Sequence, residues 1–104
     1  MIQVIEIVKF SLVDATSENA LISASEQSQQ FVASLPGFLY RSLSHNEGDN
    51  SWTDTVYWNS MEEAKSAGEQ FMASPHCKPL VSLIDPTSVD ISHQVIKMDS
   101  GCQA

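Results

Sequence analysis

A chain of 104 residues has the length of one small domain, taken here as residues 1–104. A domain of that size buries only about 60 to 70 % of the surface its unfolded form exposes, so a single thin core is what it can build. Thirteen acidic residues against five basic ones give a net charge of −8, with Lys9, Arg41, Lys65, Lys78 and Lys97 scattered. That argues against nucleic acid or an anionic membrane as partner, since both are bound by clustered Lys and Arg.

The N-terminal MIQVIEIVKF lacks the basic segment and long apolar run of an export signal. A cytoplasmic location is therefore expected, with Cys77 and Cys102 as unpaired thiols. Residues 2–12 read as a strand with large apolar groups on both faces, and such a strand is covered on both sides. Ser17 offers an N-cap, and Leu21, Ala24, Phe31, Val32 and Leu35, with Ser28 among them, follow helical spacing until Pro36-Gly37. Phe38 to His45 alternates as a second strand, Glu47 to Asn50 is a turn, and Trp52 to Trp58 is a third strand, completing a hairpin.

Ser60-Met61-Glu62-Glu63 has the form of a capping box and opens a second helix with Ala64, Ala67, Phe71 and Met72 inward, closed by Ser74-Pro75. His76 to Ile84 is expected to make a turn or two of helix around Pro79. Asp85-Pro86 then leads to a last strand from Thr87 to Met98. The order βαββαβ predicts an α+β, ferredoxin-like fold: a four-stranded antiparallel sheet with both helices on one face, the first strand lying between the third and the fourth. Two helices cover one face only. A second copy of the chain is the simplest cover for the other, because a two-fold interface is self-complementary, so a homodimer is expected.

The stretch WTDTVYWNS, at 52–60, places Asp54 on the same strand face as Trp52, Val56 and Trp58. A carboxylate beside a large aromatic on a core-facing surface marks a candidate site. Asp54 lies roughly 13 Å from Trp58 along an extended strand, so the two would touch opposite ends of one ligand. Left unpaired and buried, it would act as a base toward a phenol or an acidic carbon; at a strand end it would simply be solvated. His93 alternates with Val89, Ile91 and Val95 in the last strand and belongs to the residue type that titrates near neutrality. Glu6 stands among Val4, Val8 and Phe10, where antiparallel pairing would bring it to His93 as an acid–base pair or a structural ion pair. His45 and His76 fall near a turn and a helix end. No His-x-His, Cys-x-x-Cys or Gly-rich phosphate loop occurs, so neither a metal nor a nucleotide or flavin is expected.

Leu35-Pro36-Gly37-Phe38, Val56-Tyr57-Trp58-Asn59-Ser60 running into Glu62-Glu63-Ala64, and Phe71-Met72-Ala73-Ser74-Pro75 together resemble the antibiotic-biosynthesis monooxygenase family of dimeric α/β barrels, over about residues 2–98. Haem-degrading members of that superfamily carry a tryptophan where Phe71 stands, a haem-ligating histidine where Leu80 stands, and an asparagine in the first strand. This chain has none of the three, and an iron without its axial ligand is not held. Members that oxidise polyketides resemble it better, and the resemblance implies a pocket lined by Trp58 and by Asp54, where an amide would be usual.

The expected function is thus a monooxygenase without a cofactor, acting on a small phenol- or quinol-like molecule. Its expected catalytic residues are His93 and Asp54, and its substrate-binding residues Trp58, Glu6 and Phe71. The rival readings are a non-catalytic dimer that binds a small apolar ligand or serves in stress, and a small isomerase using the same base. A pocket of about 300 Å³ or more at Trp58 favours ligand chemistry over plain packing.

Overall fold

The computed structural model describes residues 3–101. In chain order the elements are β1 (Val4–Phe10), α1 (Glu18–Val32), β2 (Phe38–Asn46), β3 (Ser51–Trp58), α2 (Met61–Ala73), α3 (Lys78–Leu83), a 3₁₀ turn at Pro86–Ser88, and β4 (Asp90–Val95). The strands form one antiparallel sheet in the order β2-β3-β1-β4. This is the ferredoxin-like arrangement that the element order predicts, with α3 as an added short helix.

The two long helices begin where their polar caps stand. Ser17 Oγ accepts from Ala20 N at 3.1 Å, and Ser60 Oγ accepts from Glu63 N at 3.2 Å, so each satisfies a free N–H of a first turn. The Glu63 carboxylate returns to the cap by accepting from the Ser60 hydroxyl at 3.0 Å. α1 stops at Val32, earlier than Pro36-Gly37, and the chain turns through residues 33–37 before β2. Gly37 has φ +84, and a Cβ there would collide with the Glu63 side chain, while its carbonyl accepts from Asn59 N at 2.9 Å. The Pro-Gly turn and the entry to α2 are therefore one joint, and only glycine fits it.

Two strand boundaries and one side-chain orientation depart from the sequence pattern. β1 ends at Phe10 because Ser11 N donates to Ser88 Oγ (2.8 Å) and Ser11 O accepts from Asp85 N (2.9 Å), which replaces the ladder; Ile2 lies outside the described residues. β4 begins only at Asp90, because Asp85 accepts from both Thr87 N (3.0 Å) and Thr87 Oγ1 (2.8 Å) and winds Pro86–Ser88 into a 3₁₀ turn. Met72 is turned outward, 65 % exposed, since α2 packs through Ala64, Ala67 and Phe71. Cys102 lies outside the described residues.

Core side chains gather on the helix-bearing face in two clusters. One holds Val4, Val32, Leu35, Val56, Trp58, Ala64 and Ala67. The other holds Phe10, Leu21, Ala24, Trp52 and Leu80. Phe71 touches both. The opposite face, with Ile5 and Ile7 of β1 beside Tyr57 of β3 and Tyr40 of β2, has no helix over it. Its tyrosine rings meet edge to face at 5.8 Å.

Candidate functional site

Between the two clusters lies a cavity of about 410 Å³, larger than a packed interior allows. Its walls are mostly apolar, drawn from α1 (Val32), α2 (Ala67, Phe71, Met72), α3 (Leu80, Val81), the segment leading into β4 (Pro86, Val89) and β4 itself (Ile91). Gly68 of α2 also faces it, and the missing side chain leaves room above the Glu6 carboxylate. The polar groups are confined to the sheet that forms its floor.

Strand register arranges that floor. On the helix-bearing face His93, Glu6, Val56 and Arg41 form one row across β4, β1, β3 and β2, and Ile91, Val8, Asp54 and Leu43 form the next. Glu6 and Asp54 are thus diagonal neighbours, each with a nitrogen-bearing partner, His93 or Arg41, on its outer side. His93 Nε2 lies 3.0 Å from Glu6 Oε2, with the imidazole 24 % and the carboxylate 15 % exposed. Arg41 grips Asp54 with both arms of its fork, Nε donating to Oδ1 at 3.0 Å and Nη2 to Oδ2 at 2.7 Å. Its third nitrogen, Nη1, donates to Ser28 Oγ (3.0 Å) and Gln29 Oε1 (3.3 Å) of α1. Ser28, which interrupts the apolar stripe of α1, is fully buried for this reason: its hydroxyl donates to Ser25 O and accepts from the guanidinium.

Burial pushes the Glu6 carboxyl above its usual range, and the Asp54 charge adds to that. His93 opposes it through charge and hydrogen bond, and the Trp58 N–H opposes it weakly. Trp58 is only 2 % exposed and forms part of the cavity wall; its Nε1 lies near enough to the Glu6 carboxylate to favour the charge weakly but closes no hydrogen bond with it or with any other group. A buried indole N–H without an acceptor is costly, and an acceptor on a bound molecule would relieve it. The buried Cys77 thiol is pushed up by desolvation, which disfavours the thiolate that a cysteine nucleophile needs.

Glu6, Asp54, Trp58 and Phe71 all line the cavity; His93 does not, and stands behind Glu6. Asp54 is neither solvated nor unpaired. Its guanidinium partner Arg41 escaped the sequence reading, although Arg41 shares the alternation of Leu43 and His45 and so had to lie on the same face. Leu80 and Phe71 are apolar wall.

No protein-family model matches the sequence, and no curated protein matches it. Solved structures do. SnoaB, a cofactor-independent oxygenase from Streptomyces nogalater, is 19% identical with a TM-score of 0.66, covering 98% of this chain and 98% of that chain. The chain has the fold of the antibiotic biosynthesis monooxygenases. A "putative antibiotic biosynthesis monooxygenase" from Bordetella bronchiseptica superposes with a TM-score of 0.76 at 14% identity, over 90% of this chain and 96% of that one. Rv0793 from Mycobacterium tuberculosis gives 0.69 at 13% identity, over 94% and 98%. Among the described residues no helix is long and apolar enough to cross a membrane.

Proposed function

We propose that this chain is a cofactor-independent monooxygenase that acts on a small phenol- or quinol-like molecule held in the cavity. The observation that carries the reading is the Glu6–His93 pair, which brings a partly buried carboxylate to the floor of an apolar cavity and connects it to solvent at the edge strand. In this reading Glu6 takes the phenolic proton and hands it to His93, which releases it to water. Asp54 is a second acceptor rather than the base, because both of its oxygens already accept from Arg41.

The phenolate then gives one electron to oxygen, and the two radicals join at a ring carbon as a peroxide anion, which takes one proton back through the Glu6–His93 pair to become the hydroperoxide. Loss of water leaves a carbonyl, so phenol and oxygen become quinone and water. The protein's share is to orient the ring against Trp58, exclude water and manage one proton, with the indole N–H donating to the oxygen on which charge develops. The working unit is a homodimer in which a second copy covers the helix-free face around Ile5, Ile7, Tyr40 and Tyr57.

Oxygen uptake above the uncatalysed rate, screened over quinols and phenols, tests the activity. Glu6→Gln is expected to lower turnover about a hundredfold or more while binding holds. Full turnover in both Glu6→Gln and His93→Ala would remove the base assignment. Quinols that bind without consuming oxygen would leave a ligand-binding protein.

A further inference from the structure

We infer that Asp54, its charge cancelled by Arg41, makes the cavity select uncharged hydroxylated aromatics and reject their carboxylated relatives. The inference rests on the quinol reading above and narrows its substrate class. An arginine facing an apolar cavity alone would be an anion site, the natural seat for an aromatic acid. Here the guanidinium is spent. Two of its nitrogens hold Asp54 and the third holds Ser28 and Gln29, with the Arg41 and Asp54 side chains only 8% and 14% exposed.

Arg41 is the one Lys or Arg among the residues that line the cavity. The second pair adds no positive charge: with one proton shared between them, Glu6 and His93 sum to zero whichever holds it, and with none they are negative. A carboxylate entering the cavity would therefore meet two acidic side chains, both screened less than at a surface, and no free cation. The remaining hydrogen-bonding capacity has a definite sense. Each carboxylate oxygen of Asp54 retains a lone pair after binding Arg41, so the floor accepts. The Trp58 N–H, buried without a partner, donates. A neutral aromatic diol satisfies both, one hydroxyl giving its proton to a carboxylate of the floor and another accepting from the indole.

The test is binding without oxygen, by anaerobic calorimetry, using 1,4-dihydroxynaphthalene and 1,4-dihydroxy-2-naphthoate as probes. The native protein is expected to bind the diol at least tenfold more tightly than the acid. Asp54→Asn unmasks Arg41 and should shrink or reverse that ratio. Arg41→Gln with Asp54→Asn replaces the ion pair by two neutral amides and should restore it, which separates charge from damage to the fold. Equal or tighter binding of the acid by the native protein would overturn the inference and leave the quinol site standing, as would a natively folded Asp54→Asn protein with an unchanged ratio. If neither probe binds, the quinol site itself falls and the inference with it.

Discussion

Replacing Arg41 by methionine keeps most of the buried stem and removes only the fork. Asp54 is then left in the cavity floor without a counter-charge, and Ser28 and Gln29 each lose a donor. Breaking a buried pair in this way costs about 3–5 kcal/mol, and the 14% exposure of Asp54 places this case near the lower figure. A chain of this length is stable by roughly 5–15 kcal/mol in all, so about 3 kcal/mol is a large share. At roughly 5 °C per kcal/mol the melting temperature should fall by about 15 °C. Urea melts followed by tryptophan fluorescence, with calorimetry at one fixed protein concentration, read the loss directly. Arg41→Met with Asp54→Leu should recover most of it, because a well-packed apolar pair carries no unpaired charge. A loss below about 1 kcal/mol in the single variant would mean that water screens the pair, and a double variant as unstable as the single would mean that the unpaired charge is not the cause.

Glu6 makes stability and activity run in opposite directions with pH. Its carboxyl is raised in the folded chain above the usual 4.5, so the native state holds the proton more tightly than the unfolded chain. Stability is therefore expected to fall as pH rises from 4.5 through the raised value, while turnover, which needs the carboxylate, rises over the same window. Glu6→Gln should lack this part of the decline in urea midpoint, and an equal slope in both proteins would contradict the assignment. Trp58→Ala should weaken binding of a quinol by about 1–3 kcal/mol beyond its cost to folding, with Trp58→Phe restoring most of the stacking; calorimetry on folded variants reads both. Sedimentation velocity at micromolar concentration should show a species of twice the chain mass burying on the order of 1,500 Å², and a stable monomer would refute the dimer.

Much of the site was legible because a strand has a period of two. Once Glu6 and His93 were placed on one face of adjacent antiparallel strands, their contact followed, and the same period put Asp54 on one strand face with Trp58. The capping box at Ser60 and the turn at Gly37 were legible because few residue types fit those backbone positions. Arg41 was harder to read. Its opposition to Val56 depends on the register across the Glu47–Asn50 turn and on a bulge between Phe38 and Tyr40, neither of which alternation records. The ends of β1 and β4 were overextended because the Asp85 and Ser88 side chains take hydrogen bonds that the ladder would otherwise use. Met72 looked inward by spacing, yet it sits on the open rim of a void, and a void is a property of how two clusters fail to meet rather than of any one residue.

The joint at Gly37 divides labour in this molecule. It ties the exit of α1, the end of β3 and the start of α2 together through one carbonyl and one carboxylate, and none of those atoms faces the cavity. The sequence marks by which the chain resembles the antibiotic-biosynthesis monooxygenases include the residues of this corner, so they report scaffold construction. The proposed chemistry rests instead on single side chains along two rows of the sheet, each on a strand held by backbone bonds that no substitution except proline removes. A designer can therefore treat His93, Glu6, Asp54 and Arg41 as exchangeable pairs on a fixed frame, altering charge and donor pattern pair by pair while the corner keeps the frame in register.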